Sequence, residues 1–481
     1  MKKFFRMITN KWLLKGTTTL ILVAIVIASY IGINWGVKKL NIEDLDFTTK
    51  KLYSLSDATK ERLNELEDEI TIQIINMENY NYVIEYANKY EKASDKITIE
   101  RIDDLSTRVD LQTQYNLDNT GSLIVVKNGD KEKTITANDL YTYDYTTYKS
   151  IDTTEEALTN AIVEVTIDVK PHIYVLEGKA YNDPEQSLGI VAKALMKEAN
   201  EIDLLDILTK GSVPEDCACL IITTLKQDLS DLERDKILEY INNGGKLLIL
   251  SSQNTIQEDT PNFDQILAQY GITLNYGVIL EQDSSKTLYD TPNMILTEAK
   301  ASFMDRIDMA LKLFLVNPGK IEFADEAKLE ELGVQYETIS STSDKSFVRT
   351  DLTQTSKSKT DGDSEEGSFI VGAHVIKQIS EGKLSQLMIY SDETFASTAQ
   401  LVLGYQAINA VYMYNNEDIV LNSVSYLTER DDTITIRKTD EVENYTVTDQ
   451  EDVIIKTIIF VVPVLVIIIG IGVTIYRKRK I

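Results

Sequence analysis

Cysteine and histidine are almost absent from this chain, and their scarcity excludes two kinds of stabilising site. The 481 residues contain only Cys217, Cys219, His172 and His374. Cysteines two positions apart on an extended chain are poorly placed for a disulfide, so no disulfide framework holds the fold together. We predict that both are small core residues on a strand, with their side chains on the same face. A zinc site would need further ligands, and no metal or cofactor is predicted.

Positive charge is also scarce. The chain has 49 lysines and arginines against 76 acidic residues, a net charge of −27. The two basic ends hold nine of those cations and none of the acids, which leaves 40 cations against 76 acids, or −36, between them. Such a surface repels nucleic acid and anionic headgroups, so nucleic-acid binding is excluded.

Motifs for catalysis are missing too. There is no GxxxxGK[ST] phosphate loop, because Gly244-Gly245-Lys246 precedes a strand instead of opening a helix, and there is no GxSxG elbow. Both histidines lie beside apolar runs, a position more typical of packed or surface residues than of a catalytic base. The sequence therefore predicts a protein that is not an enzyme. A hydrolase of envelope material is the third-ranked alternative.

What the chain does have is a long apolar run near each end. Thr457 to Tyr476 contains no charge and is followed by four cations at 477–480. Twenty residues as a helix cover the roughly 30 Å hydrocarbon core of a bilayer. Cationic flanks stay on the cytoplasmic side, so 457–476 is predicted as a transmembrane helix with the short basic tail 477–481 inside.

The opposite end has the same pattern in reverse. A basic tail at 1–15 precedes the apolar run 16–37, which Trp12 and Trp35 bracket as interfacial aromatics do. A cleavable secretory signal is one alternative for this run, but its length favours an uncleaved anchor. We therefore expect two spans in the cell membrane, both termini in the cytoplasm, and an extracytoplasmic ectodomain between them.

The fold class of the ectodomain is predicted as α/β with two domains. Residues 38–166 form a juxtamembrane segment and a small domain whose β-α-β-β order resembles thioredoxin in outline. Its predicted elements are strands Ile70–Ile75 and Ile97–Ile102, helix Tyr80–Lys92, a hairpin turning at Asn128-Gly129, and a connecting helix Glu155–Val165.

The second domain alternates apolar strands with amphipathic helices, a pattern typical of a parallel sheet covered on both faces, flavodoxin-like or amidotransferase-like. It is predicted over 167–339, with a flexible polar loop at 340–368, a return to the same sheet over 369–438, and an acidic stalk at 439–456. Its predicted elements include strands His172–Leu176, Leu220–Thr224 and Lys246–Leu250, and helices Pro184–Ala199 and Asp231–Asn243.

Ligands of such sheets bind at the carboxyl ends of the strands. Polar side chains follow several of the predicted strands, and Gln253 lies beside them. We predict a ligand-binding site formed by Glu177, Thr223, Thr224, Ser251, Ser252 and Asp392.

Four tyrosines in the stretch YTYDYTTY, at 141, 143, 145 and 148, leave a second function open. Aromatic rings on an outer surface can stack on sugar rings, whereas alternating tyrosine is also ordinary strand composition. The alternative hypothesis is therefore a cell-surface protein that binds wall glycan, or another envelope component, without a transporter.

Several short motifs, in order along the chain, resemble the auxiliary subunits of ABC transporters of the gliding-motility (GldG-like) type. The motifs are Tyr53-Ser54-Leu55-Ser56 with Thr59; Glu156-Ala157-Leu158-Thr159-Asn160-Ala161-Ile162; Val213-Pro214-Glu215-Asp216 with Leu220 to Thr224; Leu229-Ser230 with Tyr240 to Leu248; Thr342-Ser343 with Ser346-Phe347; and Asn422, Val424, Tyr426 and Leu427. The chain departs from the family at Glu177-Gly178-Lys179-Ala180, where Gly-His-Gly-Glu is frequent.

The resemblance implies a non-catalytic, membrane-anchored, substrate-binding-like subunit. Its implied partners are an ABC permease and a cytoplasmic ATPase, and its ectodomain would bind a substrate or an envelope component such as glycan.

Overall fold

The computed structural model describes residues 54–430, except 78–79, 119–120, 145–148, 255–258, 305–310 and 404–405. Across these residues, every helix is too short or too polar to cross a bilayer. The predicted anchors at 16–37 and 457–476 and the predicted acidic stalk lie outside this part of the chain.

The first domain is a four-stranded sheet with helices packed on it. Strand β1 pairs with β2 in parallel and with β3 antiparallel, and β3 and β4 form the predicted hairpin, whose turn holds Gly129 at φ +56°. A separate two-stranded sheet, β5 and β6, precedes α4. The elements are α1 Asp57–Asn64, β1 Ile70–Ile75, α2 Asn81–Ala93, β2 Ile97–Ile102, α3 Val109–Gln114, β3 Leu123–Asn128, β4 Lys131–Ile135, β5 Tyr141–Asp144, β6 Lys149–Asp152 and α4 Thr154–Thr166.

The second domain is built on a twelve-stranded mixed sheet. Its helices are α5 Pro184–Ser187, α6 Gly189–Lys197, α7 Ile207–Lys210, α8 Asp231–Asn242, α9 Pro261–Ala268, α10 Glu326–Leu332 and α11 Asn416–Leu427. Its strands, some in small two-stranded sheets, are β7 His172–Leu176, β8 Glu201–Leu205, β9 Cys217–Ile222, β10 Lys246–Leu250, β11 Ile272–Leu274, β12 Val278–Leu280, β13 Thr287–Leu288, β14 Thr291–Ala299, β15 Leu311–Val316, β16 Ile321–Phe323, β17 Val334–Ser341, β18 Phe347–Arg349, β19 Ile370–Ser380, β20 Lys383–Tyr390, β21 Gln400–Leu403 and β22 Gln406–Asn409.

Five neighbouring strands of this sheet, β20-β10-β9-β7-β8, are parallel, as predicted. The chain returns to this sheet at β20, which pairs with β10. The sheet is not parallel throughout, however. A tight turn with Gly382 at φ +73° joins β19 to β20, so these two strands are antiparallel. Beyond β19, β17 pairs antiparallel with β19, and β14 pairs antiparallel with β17.

Both faces of the parallel strands are covered, because successive side chains of a strand point to opposite faces. On β10, Leu248 and Leu250 join the core formed with α6 and α11. Leu247 and Ile249 join the core formed with α8 and α9. The near-continuous apolar strand sequences follow from this double burial.

The predicted helix Pro184–Ala199 is divided at Leu188 into α5 and α6. Thr398 hydrogen-bonds to two main-chain carbonyls of α5 at this point. Its N–H donates to the Ser187 carbonyl at 2.7 Å, and its hydroxyl donates to the Gln186 carbonyl at 2.8 Å. The break is therefore a tertiary effect that local propensity does not encode.

The two cysteines are free, but the prediction that they share a face is wrong. Cys219 lies in the core beside α6, whereas the half-buried Cys217 packs against the opposite core. His172 pairs with Cys217 and Ile173 with Cys219, so Ala218 is an extra residue on β9. Such a bulge inverts the alternation of side chains between the two cysteines.

The polar segment 340–368, expected to be a flexible loop, carries ordered structure. It contains the end of β17 and all of β18, and Arg349 and Asp363 form an ion pair at 2.7 Å in which each side chain is 3% exposed. The Arg349 guanidinium also donates to the carbonyls of Ser356 and Ser358. A single buried cation thus organises a segment whose composition is that of a solvated loop.

Candidate functional site

The carboxyl ends of β7, β9, β10 and β20 meet at one edge of the sheet, and the structure brings three of the predicted residues together there. The main-chain N–H of Ser252 donates to Thr224 Oγ1 at 2.9 Å, and Ser252 Oγ donates to Asp392 Oδ1 at 3.3 Å. All three side chains are buried. We refer to Thr224, Ser252, Asp392 and their neighbour Glu393 as the polar edge cluster.

Asp392 is fully buried, and its carboxylate is held by main-chain donors. The N–H of Val316 donates to Oδ2 at 2.7 Å and the N–H of Thr394 to Oδ1 at 2.8 Å. Burial raises the pKa of Asp392 to about 6, although these hydrogen bonds favour the charged form. Asp392 therefore ties the end of β15 to the end of β20.

Glu393 was not among the predicted residues, yet it makes as many connections. Its carboxylate accepts from the Thr224 N–H at 3.1 Å and from Asn182 Nδ2 at 3.1 Å, and its own N–H donates to Ser252 Oγ at 2.9 Å. The sequence feature that could have identified Glu393 is its position directly after Asp392, at the end of a strand. Burial of a second carboxylate there could not be seen from the sequence.

The other predicted residues are near this edge without joining the cluster. Thr223 is 1% exposed, and its hydroxyl has no hydrogen-bond partner among the described residues. Ser251 is buried, and its N–H donates to the Tyr390 carbonyl. Glu177 is half-buried and bonds through its N–H to the Leu205 carbonyl.

The loop after β7 covers the polar edge cluster. Tyr181 N–H donates to the Thr224 carbonyl at 2.7 Å, Lys226 N–H donates to the Lys179 carbonyl at 2.8 Å, and Ala180 and Leu225 form a β-bridge. This loop is the one that departs from the family motif, and here it is joined by main-chain bonds to the segment after β9.

Gln253 follows the cluster on β10's carboxyl side and is completely buried. Neither atom of its amide has a hydrogen-bond partner within the described residues. It lies against Gly319, where an added Cβ would be 1.9 Å from Gln253 Oε1. Buried amides are normally paired, so the unpaired amide of Gln253 is a local exception at this edge of the sheet.

A cavity of about 460 Å³ lies beside this point. Asn254 lines it, and its side-chain oxygen is buried without a hydrogen-bond partner among the described residues. Asn317 lines it from the segment after Val316, whose N–H donates to Asp392. The polar edge cluster therefore positions one wall of the cavity. The sequence did not predict the cavity, because its lining residues come from five separate segments of the chain.

No catalytic triad forms from the histidines. His172 is the first residue of β7, at the edge opposite Ser252 and Asp392, and it contacts Asp203 and Asp216. His374 is buried in the middle of β19 and bonds to Gln386. Within the residues that the structure describes, no three His, Cys, Asp or Glu side chains are arranged to hold a metal ion.

The first two motifs behind the family resemblance contact one another in the structure. Ser56 caps α1, and its N–H donates to Glu155 Oε1 at 2.6 Å. Thr59 Oγ1 lies 3.1 Å from Thr159 Oγ1, which is 2.6 Å from the buried Tyr90 hydroxyl. The motif at 53–59, predicted to be juxtamembrane, and the connecting helix α4 are therefore joined directly.

Two other motifs have equally clear structural roles. The Ser343 and Ser346 hydroxyls donate to the buried Glu281 carboxylate at 2.6 and 3.0 Å. These and further hydrogen bonds lower the pKa of Glu281, although burial opposes the shift. Tyr240 OH donates to the Lys246 carbonyl at 3.0 Å and accepts from the Lys246 N–H at 3.1 Å.

Only part of the tyrosine stretch is described. Tyr141 is 40% exposed, and its ring centroid lies 5.5 Å from that of Tyr82. Tyr145 and Tyr148 lie outside the described residues. The stretch contributes β5, as expected for ordinary strand composition.

Comparison with known proteins gives one family match. A family model described as an ABC-type uncharacterized transport system matches residues 170–423. The chain matches no curated protein. Among solved structures, the mmIFT52 N-terminal domain is 13% identical, with 53% of this chain and 97% of that chain covered and a TM-score of 0.38. A putative ThuA-like protein from Bacteroides uniformis is 11% identical, with 54% of this chain and 93% of that chain covered and a TM-score of 0.32. A putative ThuA-like protein from Parabacteroides merdae is 7% identical, with 56% of this chain and 93% of that chain covered and a TM-score of 0.31.

Proposed function

Because the chain belongs to the family of auxiliary proteins of ABC-type transport systems, we propose that it is the membrane-anchored, non-catalytic subunit of one such transporter. In this proposal the anchors at 16–37 and 457–476 hold the ectodomain outside the cytoplasmic membrane. A separate permease and a separate cytoplasmic ATPase are its partners. The match over 170–423, which includes the whole parallel half of the sheet, is the observation that carries the proposal.

We further propose that the transporter is of the gliding-motility (GldG-like) type. The contacts between the juxtamembrane motif and α4 support this, since they link the segment after the first predicted anchor to the helix that leads into the second domain. Such a link would be one route by which a change in the ectodomain reaches the first anchor.

A non-catalytic role is supported by the chemistry of the polar edge cluster. Ser252 Oγ donates to the Asp392 carboxylate and accepts from the Glu393 N–H, and neither histidine lies at this edge, so the cluster holds no serine–histidine pair. A phosphate loop is also missing from the sequence, so the energy for transport would come from another chain.

The test is purification of the tagged full-length protein from its own membranes in mild detergent, with partners identified by mass spectrometry. We expect a multi-span permease and a P-loop ATPase in stoichiometric amounts. A matched preparation of an unrelated two-span protein from the same membranes controls for nonspecific recovery. Recovery of neither subunit with an intact protein would overturn the proposal.

A further inference from the structure

The cavity beside Asn254 is not part of the predicted site, and its lining combines side-chain amides with aliphatic side chains. We propose that it binds a neutral peptide segment with small aliphatic side chains. The inference rests on the proposed function for its physiological meaning, since it names the class of ligand that the ectodomain would take.

The first argument is the hydrogen-bonding chemistry of the lining. Four side-chain amides, those of Asn254, Asn293, Asn317 and Gln354, line the cavity. Asn293 Nδ2 donates to Asn317 Oδ1 at 2.6 Å, and Gln354 bonds to Asp351 and Thr360, so these three amides offer a peptide group only their remaining donors and acceptors. Asn254 Oδ1 is buried without a partner among the described residues, so a ligand that offers an N–H would satisfy it.

The second argument is charge. Arg349 lines the cavity, but its guanidinium is already paired with the buried Asp363. Lys357 also lines it, with its ammonium 2.7 Å from the Asp290 carbonyl and 3.8 Å from the Asp290 carboxylate. Both cations have acidic partners within the protein, and a neutral ligand would leave these pairs intact.

The third argument separates a peptide from a saccharide. Val278, Leu280 and Leu352 form an apolar part of the lining, which suits aliphatic side chains. The thirteen described residues that line the cavity include no aromatic ring, the usual platform for the apolar face of a sugar. Amides combined with aliphatic side chains favour a peptide.

The test uses the full-length protein in detergent and saturation-transfer difference NMR. The probes are the capped tripeptide N-acetyl-alanyl-valyl-alanine amide and, for comparison, diacetylchitobiose. We expect transfer to the peptide and none to the disaccharide. Asn254→Ala should weaken peptide binding about fivefold, the effect of one hydrogen bond of about 1 kcal/mol.

The matched control is Asn242→Ala, which removes an exposed amide from α8 and should leave peptide binding unchanged. Thermal unfolding checks that Asn254→Ala is folded, and Asn293→Ala is the second variant if it is not. Transfer to the disaccharide alone, transfer to neither probe, or unchanged peptide binding in the variant would overturn the inference. Co-purification of permease and ATPase is a separate readout, so loss of the peptide site and loss of the transporter role give different results.

Discussion

Buried carboxylates in this protein accept hydrogen bonds from main-chain N–H groups of other segments. Asp392 accepts from Val316, Glu393 from Thr224, and Glu281 from Ser343. Hydrogen bonds to a charged group contribute about 1.5–3 kcal/mol each, more than neutral ones. These acids therefore hold separate loops together, and Asp392, predicted to bind a ligand, is enclosed in the structure as one of them.

His172 should make stability depend on pH. Burial lowers its pKa, but hydrogen bonds and charge from Asp216 and Asp203 outweigh burial and raise the pKa above its ordinary value. The stabilisation is therefore fully present below the unfolded-state pKa of about 6.5 and is lost as pH rises through the folded-state value. Because both aspartates are more than half exposed, we expect less than about 1 kcal/mol.

Urea unfolding of the full-length protein and of His172→Asn, at pH 5.5 and pH 8.5, checks this. The native protein should lose more free energy of unfolding between the two pH values than the variant does. The variant itself controls for all other titrating groups, Asp392 among them. Equal losses in both proteins would show that the two aspartates do not hold the charged imidazole.

At the scale of residues, the sequence predicted which positions lie at the carboxyl edge of the sheet, but not which hydrogen bonds they make. Strand ends placed Thr224, Ser252 and Asp392 correctly, because parallel strands end at one edge. Glu393 and the lining of the cavity were missed, since their partners come from residues far away in sequence. Whether the predicted residues bind a ligand stays a prediction.

At the scale of elements, the turn from α8 to β10 depends on a close approach between ring and backbone. Gly244 has φ +89°, and Gly245 lies so close to Tyr240 that an added Cβ would be 2.4 Å from its ring. Tyr240 in turn bonds to both main-chain groups of Lys246 at the start of β10. The two glycines of the GGK sequence therefore allow Tyr240 to pack against the backbone, and they do not form a phosphate loop.

Gly245→Ala should destabilise the protein by about 1–3 kcal/mol, the usual cost of overpacking a filled site. The matched control is Gly189→Ala at the start of α6, where an added Cβ meets nothing within 4 Å. That change should be neutral or stabilising by up to about 1 kcal/mol. Urea denaturation of both variants measures the difference, and equal stabilities would contradict the packing argument.

Elements with strong local signals were predicted well. The strands His172–Leu176 and Lys246–Leu250 have the predicted bounds, and Ser230 caps α8 with a capping box to Glu233. The failures, at Leu188, Ala218 and Arg349, each come from a tertiary contact or a bulge. No window of local sequence contains that information.

At the scale of the whole molecule, the topology of the chain in the membrane remains a prediction that a direct experiment can check. In intact cells, with any outer envelope layer made permeable, trypsin added outside should cleave the ectodomain. A tag after Ile481 should stay inaccessible to antibody until the cytoplasmic membrane is opened, because cationic flanks stay inside. A cytoplasmic protein probed in the same samples controls for lysis. A tag accessible in intact cells would contradict the predicted orientation.

The pairing of β10 with β20 has a consequence for how the protein is made. Lys246 lies beside Gln386, and Gly245 and Ser385 in the same junction are separated by 140 positions. Until the later strand emerges, the edge of β10 has no partner, and an open apolar strand edge is a template for wrong association. Pairing over such a separation is also slow. The nascent chain should therefore depend on a chaperone that shields this edge until β20 is synthesised.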